Sequence, residues 1–482
     1  MAEGSQLSAW ATKAAIPESA ALPAPVEAAL PTLARLVFAE PQLVSQDPRR
    51  TVEALLAALD RRLTAQLNLI FHHPEFQSLE SAWCGLFYLV DHTESDDQLK
   101  IRVLNISRKE LGRTLKKFKG TAWDQSPIFK LIYEQEYGQF GGEPFGCLLG
   151  DYYFDHTPPD VETLGELAQV AAAAHTPFLA GASAALLQMD SWQELSNPRD
   201  LTRITQTPEY VAWRALREAE DARYLGLILP RFLARLPYGA RTDPVPEFDF
   251  EEEVEGPDSQ KYLWANSAYA MGVNINRAFK LYGWCTKIRG VESGGMVDGL
   301  LCPAFPTDAR DVDQKCPTEI AVSSRREAEL GHLGLTVLVH RRNTESATFV
   351  SAQSVQQPAE YDDPEATANA HLGARLPYLL PTCRFAHYLK CIVRDKIGSF
   401  KGRTELQTGL NRWIRNYVEG NPSTASEEAK ARRPLAAAEV VVEEVPGSPG
   451  TYSAKFFLRP HYQLEGLTVS LRLVSKLSSP VG

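Results

Sequence analysis

No run of roughly twenty apolar residues, the length a membrane-crossing helix requires, occurs in the 482 residues, so no direct membrane insertion is expected. Met1 to Trp10 lacks a basic stretch followed by an apolar core, so no secretory signal is read and the cytoplasm is the expected compartment. Cysteine is sparse and odd in number: seven residues scattered from Cys84 to Cys391 fit reduced, mostly buried thiols better than a disulfide framework. An excess of positive charge is missing as well. The net charge of -10 opposes a phosphate backbone, so nucleic acid is not an expected partner. The densest basic stripe, Arg108, Lys109, Arg113, Lys116, Lys117 and Lys119, is interrupted at helical spacing by Leu111, Leu115 and Phe118, which reads as a solvated helix face.

Catalytic patterns are equally scarce. A phosphate cradle needs glycine-freed amides followed by Lys-Ser or Lys-Thr; Gly141-Gly142 and Gly294-Gly295 lack that sequel and read as turns. Ser183, in Gly181-Ala182-Ser183-Ala184-Ala185, is the nearest approach to a nucleophile elbow but lacks the second glycine. His72 and His73 are adjacent and diverge on any regular backbone. Cys383, His387 and Cys391 recur every four residues on one helix face, but the outer two lie about 12 Å apart at ~1.5 Å rise per residue, too far to share a zinc ion. A packed face is the reading there. Cys302 and Cys316 flank an acidic loop with Asp308, Asp311 and Asp313, which suggests a cation or a redox pair; prolines and the lack of a central glycine exclude an EF-hand. Carboxylates such as Glu251 to Glu253 name no acid-base pair. The sequence therefore predicts no catalytic residue, metal site or cofactor.

What is present is a foldable chain, 44% hydrophobic and 23% charged, long enough for two or three packed units. Ala14 to Pro31, rich in alanine and proline, reads as an arm. Asp47-Pro48 supplies a cap and a first-turn proline for a helix carrying Val52, Leu55, Leu56, Leu59, Leu63 and Leu67 on an amphipathic stripe that needs a partner. From 61 to 372, helical stretches alternate with short strands (Ile101–Ile106, Phe145–Leu149, Pro177–Ala180, Leu335–Val339), which predicts a mixed α/β layer. One helix is expected from Thr207-Pro208 to about Leu229, with Arg214/Glu218 and Arg217/Asp221 as surface ion pairs. Phe248 to Glu255 reads as an exposed acidic loop or docking strand. Gly420-Asn421-Pro422 should end a helix bearing Trp413, Ile414, Tyr417 and Val418. A polar segment, Ser423 to Arg433, then leads into a hairpin, Glu439–Val445 and Tyr452–Leu458 around Pro446–Gly450, and a third strand alternating Leu467, Val469, Leu471 and Leu473. The fold class is α/β, mixed α+β, divided into an arm with its helix (1–60), a central domain (61–372) and a C-terminal β-rich domain (373–482).

Long blocks add a resemblance. His72-His73-Pro74-Glu75-Phe76-Gln77-Ser78-Leu79-Glu80 with the apolar stretch to Val90, Pro177 to Ala182, Trp213 to Glu218 through Phe232, Gly283-Trp284-Cys285, Lys315 to Ile320, Arg325 to Leu330, Tyr361 to Pro364, Arg384 to Lys390 with Arg394-Asp395-Lys396, and Phe457 to Glu465 resemble the large subunit of the type VI secretion contractile sheath. They span about 61 to 476. The resemblance implies a phage-tail-sheath-like core, pairing with a small sheath subunit, and stacking of neighbouring sheath heterodimers around an inner tube of hexameric rings on a baseplate. It also implies disassembly by a hexameric ATPase acting mainly through the small subunit. On that reading Leu55, Leu56, Leu59 and Leu63 are small-subunit docking candidates. Phe456, Leu458, Arg459, Leu467, Val469, Leu471 and Leu473 are intersubunit-strand candidates, and Glu427, Glu428, Lys430, Arg432 and Arg433 are tube-contact candidates. The alternative is a sheath protein of another phage-tail-like contractile device.

Overall fold

The computed structural model describes residues 35, 45–197, 199–254, 260–306, 312–396, 403–421, 424–444, 452–461 and 471–476. The chain divides into two compact units, Met1–Ser78 with Leu236–Tyr262, and Leu79–Arg235 with Leu263–Gly482.

The first unit is organised by helix α1 (Pro48–Phe71). Pro48 fills the first helical position and the Asp47 carboxylate accepts from the Arg49 amide, as the Asp-Pro pair predicts. Near the other end Asn68 acts as a substitute strand partner: its Nδ2 donates to Glu251 O at 3.0 Å and its Oδ1 accepts from Glu253 N at 2.7 Å. Phe71 meets Phe76, Tyr238 and Phe250 with ring centroids within 5.8 Å. The acidic segment is therefore not the exposed loop expected for Phe248 to Glu255. It is irregular backbone through residue 254, but Phe250 and Glu252 are buried, because aromatic packing and the Asn68 amide hold it down. Glu255 lies outside the described residues.

The second unit contains α2 from Leu79 onward (the helix runs Pro74–Asp91), α3 (Arg108–Lys117), α4 (Pro158–Ala174), α5 (Val211–Glu218), α6 (Ser267–Tyr282) and α7 (Ser324–His332). It also contains α8 (Leu376–Lys396), α9 (Arg403–Arg415) and α10 (Glu427–Arg432). Its strands are β1 (Leu148–Phe154), β2 (Phe178–Ala182), β3 (Leu225–Leu229), β4 (Phe232–Leu233), β5 (Trp264–Ala265), β6 (Met296–Val297), β7 (Ala304–Pro306), β8 (Val312–Gln314), β9 (Leu335–His340), β10 (Ala347–Phe349), β11 (Leu435–Glu444), β12 (Tyr452–Pro460) and β13 (Leu471–Lys476).

The main sheet has the order β1-β2-β3-β9-β10-β6, parallel from β1 to β9 and antiparallel beyond. β2 and β3 are buried along their whole length, and their unbroken apolar runs, Phe-Leu-Ala-Gly-Ala and Leu-Gly-Leu-Ile-Leu, are what a strand covered on both faces requires. The strands expected at Pro177–Ala180 and Leu335–Val339 are present as β2 and β9. The one expected at Phe145–Leu149 begins only at Leu148, and Ile101–Ile106 carries no assigned ladder, its carbonyl at Ile106 being taken by the Tyr152 hydroxyl instead.

The long helix expected from Thr207 to Leu229 is also corrected. It ends at Glu218, a 3₁₀ turn follows, and Leu225–Leu229 is the central strand β3. A short apolar run has no period that separates buried strand from buried helix. The expected surface ion pairs give way to carbonyl contacts. Arg217 is 6% exposed and donates from Nε to Val355 O and from Nη2 to His332 O, both at 3.0 Å. Arg214 donates to Thr205 O and Thr207 O.

A second, smaller core lies under the C-terminal sheet β11-β12-β13, antiparallel throughout. It contains Trp284, Phe385, Leu389, Val393, Leu410, Ile414, Val440, Val442, Phe456 and Leu458. α8 feeds both cores: Leu376, Leu379, Leu380 and Cys383 sit in the larger, Phe385, Leu389 and Val393 in the smaller. α9 stops at Arg415, so Tyr417 and Val418 fall beyond the helix expected to hold them, and Val418 forms a β-bridge to Leu435. The hairpin strands are as expected, with β11 starting earlier, at Leu435; the turn 446–450, Leu467 and Val469 lie outside the described residues.

Candidate functional site

The residues that carried possible chemistry are absorbed by packing. Cys383 and His387 are fully buried on α8, and His387 Nε2 lies 3.2 Å from Ala174 O. Burial, with the nearby Arg384 charge, pushes the His387 imidazole down to about 3, so it is neutral. Ser183 caps the short turn Ala184–Leu187, accepting from Ala185 N. Gly141 turns the chain at φ 80°. Among the described residues no group of three or more His, Cys, Asp or Glu is placed to hold a metal ion. The basic stripe on α3 buries Leu111 and Leu115, while Lys116 and Lys119 pair with Glu162 and Arg108 with Asp160, as a solvated face should.

Among the described residues, large apolar side chains stand exposed on two helices. On α1, Val52, Leu56, Leu63 and Ile70 are exposed, Leu59 is half-buried and Leu55 is buried. Of the four docking candidates, Leu56 and Leu63 therefore face solvent and Leu55 does not. On α2 a second stripe, not singled out from sequence, is more pronounced: Leu79, Trp83 (66% exposed), Phe87 (69% exposed) and Val90 line one side at steps of four, four and three. The other side of α2 is fixed. Glu80 takes a bidentate pair from Arg235 at 2.6 and 3.3 Å, and Ser81 Oγ donates to Trp264 O at 2.7 Å. Gly85 admits the Tyr269 ring so closely that a Cβ there would stand 2.4 Å from it. The exposed stripe is thus held outward by the contacts on the opposite side of the helix. Its spacing was readable in the sequence, but nothing there distinguishes an outward apolar stripe from an inward one.

The C-terminal sheet has unequal edges. β12, with Phe456, Leu458 and Arg459, is the middle strand, and Phe456 and Leu458 fill the chain's own core. β11 is capped by α9: Asn411 Oδ1 accepts from Val440 N at 3.0 Å, its Nδ2 donates to Val440 O at 2.6 Å, and Gln407 Oε1 accepts from Val442 N at 3.1 Å. Leu471 and Leu473 belong to β13, which pairs with β12 on one side. The five tube candidates lie on and just after α10. Glu427 pairs with Lys430, Glu428 with Arg432 and Arg433 with Glu419, all near the surface.

Two family models account for this architecture in succession: the EvpB/VC_A0108 tail sheath N-terminal domain matches residues 53–356, and the EvpB/VC_A0108 tail sheath gpW/gp25-like domain matches 365–477. The chain belongs to the EvpB/VC_A0108 tail-sheath family of type VI secretion. This sheath protein is 68% identical over 454 residues, covering 94% of its own chain and 91% of the other, to the type VI secretion system sheath protein TssC1 of Pseudomonas aeruginosa. It also has a likeness, at 12% identity and a TM-score of 0.36, to a chain of the anti-feeding prophage baseplate, over 77% of this chain and 81% of that one; a score that low carries no argument. In the sheath protein the second family domain holds α8 to β13 and most of the smaller core. Among the described residues no helix is long and apolar enough to cross a membrane.

Proposed function

We propose that this chain is the large subunit of a type VI secretion sheath, docking a small sheath subunit on the outward stripes of its helices and polymerising through the C-terminal sheet. The observation that carries the docking is α2, which presents Trp83 and Phe87 to solvent from a helix clamped on its other side. Its role is structural, and the assembly is cytoplasmic. The bound at 372 belongs to the same reading, supported by the smaller core, which apart from Trp284 is built from residues Phe385 onward; the bound at 60 falls inside α1.

Neighbouring heterodimers join by strand addition at the β13 edge, where Leu471 and Leu473 lie; Leu467 and Val469, candidates of the same set, lie outside the described residues. The capping of β11 and the central position of β12 support that choice, since a strand can add only where main-chain groups remain unpaired. Phe456 and Leu458 then act by pairing with Leu473 and Leu471 of β13, while Arg459 pairs with Ala437 of β11. The charged set Glu427, Glu428, Lys430, Arg432 and Arg433 faces the inner tube of hexameric rings, and the polymer starts on a baseplate. A contact that extends without closing yields a helical lattice. Contraction releases a free-energy difference stored between two lattice states, so the subunit needs no nucleotide site. A hexameric ATPase dismantles the product through the small subunit.

Val469→Pro tests the lattice contact, because a proline there has no backbone N–H to offer an added strand. The expected result by negative-stain microscopy is a soluble heterodimer that forms no cylinders. Normal sheaths from the variant would overturn the strand-addition reading, and cylinders formed by this chain alone would favour a one-chain contractile device.

A further inference from the structure

The redox reading of Cys302 and Cys316 is not used by a sheath role, yet the structure sharpens it. β7 and β8 pair Ala304 with Gln314, Phe305 with Asp313 and Pro306 with Val312. The ladder continues one rung outward, where Lys315 N donates to Pro303 O at 2.9 Å. That makes Pro303/Lys315 a hydrogen-bonded pair, and alternation makes Cys302/Cys316 the next, non-hydrogen-bonded pair. Side chains opposed at such a rung lie on one face with Cβ atoms about 4.5–5.5 Å apart, at the margin of the span a disulfide closes. Both thiols are half-buried and unoxidised.

We propose that Cys302 and Cys316 form a peroxide-sensitive cross-strand disulfide at the base of the β7–β8 hairpin. Cys316 is the attacking sulfur. Its Sγ is 3.2 Å from Thr318 Oγ1 and hydrogen-bonds His340, whose Nε2 lies 2.9 Å from Thr344 O, so that nitrogen's proton goes to the carbonyl. Burial raises the Cys316 thiol, but hydrogen bonding with His340 and with Thr318, whose own hydroxyl donates to Ile320 O, outweighs it and leaves Cys316 below the ordinary thiol value. The hydrogen bond to Cys316 correspondingly raises His340. Cys302 is pushed up to about 11 by burial, with Glu345 and Cys316 adding to it, which suits a resolving thiol. Cys147, Cys285 and Cys383 are all raised by burial and stay inert.

In the first step the Cys316 thiolate attacks one oxygen of a hydroperoxide. An S–O bond forms, the O–O bond breaks, and the leaving oxygen departs protonated, giving a sulfenic acid. Cys302 then attacks the Cys316 sulfur; the S–S bond forms, the S–O bond breaks, and hydroxide takes the Cys302 proton as water. Two thiols are oxidised by two electrons and one hydrogen peroxide is reduced to two waters. The bond fixes the backbone immediately before Pro317 and Thr318, whose main chains meet Leu233 and Phe232 of β4.

The test treats the full-length chain with hydrogen peroxide, alkylates it under denaturing conditions and maps the unreduced digest by mass spectrometry. The expected product is a Cys302–Cys316 linked peptide, two hydrogens lighter than its parts and reversed by dithiothreitol. Cys302→Ser should instead accumulate a dimedone-reactive sulfenic acid on Cys316, and His340→Gln should slow oxidation of Cys316 roughly tenfold. Alkylation of both cysteines after peroxide treatment of the folded wild-type chain, or prior oxidation of another cysteine, overturns the proposal.

Discussion

Replacing Trp83 and Phe87 together with alanine removes the centre of the α2 stripe without touching the face that anchors the helix. Full burial of a side chain of this size is worth ~1.5–3 kcal/mol, and each is about two-thirds exposed, so a partner that covers them gains about 1–2 kcal/mol from each. Their joint loss is about 2–4 kcal/mol, or roughly 30- to 700-fold in Kd at ~1.4 kcal/mol per decade. The folded chain should barely notice, since surface truncations of this kind stay within ~0.5 kcal/mol. Leu89→Ala supplies the contrast: it is buried on the inner face, and its loss should cost about 2–5 kcal/mol of stability. Isothermal titration with the purified small sheath subunit reads the affinity, and a thermal melt of each variant reads the fold. An unchanged affinity for the double variant, or a melt lowered as far as that of Leu89→Ala, would refute the docking role of α2.

Phe385→Ala should strip the smaller core of its centre, where Phe385 stacks on Trp284 at 3.9 Å and meets Trp413 and Tyr417 edge-on; a loss of about 3–5 kcal/mol in a urea melt is expected. Arg217→Met should leave the carbonyls of Val355 and His332 without their donor and cost about 1–3 kcal/mol in the same assay. Because His387 is held neutral to about 3 while an unfolded imidazole protonates near ~6.5, its contribution is complete above about pH 6.5 and is lost as pH falls toward 3, by at most ~1.4 kcal/mol per pH unit. His387→Gln should therefore flatten the acid slope of the melting temperature but leave a remainder from His175, which burial also lowers.

The parts of this fold that sequence disclosed are those with local signatures. Asp47-Pro48 opened α1, the two β-rich runs gave β11 and β12, and Leu111 and Leu115 turned a basic run into a helix face. Features decided by distant partners stayed hidden. Leu225–Leu229 reads equally as helix or strand until β2 and β9 lie beside it. Arg217 looks like a surface charge until two carbonyls more than a hundred residues away in sequence receive it. Phe250 and Glu252 sit in an acidic stretch whose burial depends on Asn68 and Phe71. On α1 the three- and four-residue spacing was legible for the same reason, but which side of it met the interior was not: Leu56 and Leu63 are exposed and Leu55 is buried. The α2 stripe needed Gly85 against Tyr269 to show which way the helix is turned.

Helix α8 places four residues in one core and three in the other within a single 21-residue rod, roughly 30 Å long at ~1.5 Å per residue. A load on the smaller core thus travels axially along a strut to the core of the parallel sheet. Any change of angle between the two cores has to bend that strut between Cys383 and Phe385, beyond Pro381, whose missing main-chain hydrogen bond falls inside the stretch held by the larger core. The subunit would transmit tension stiffly from one core to the other.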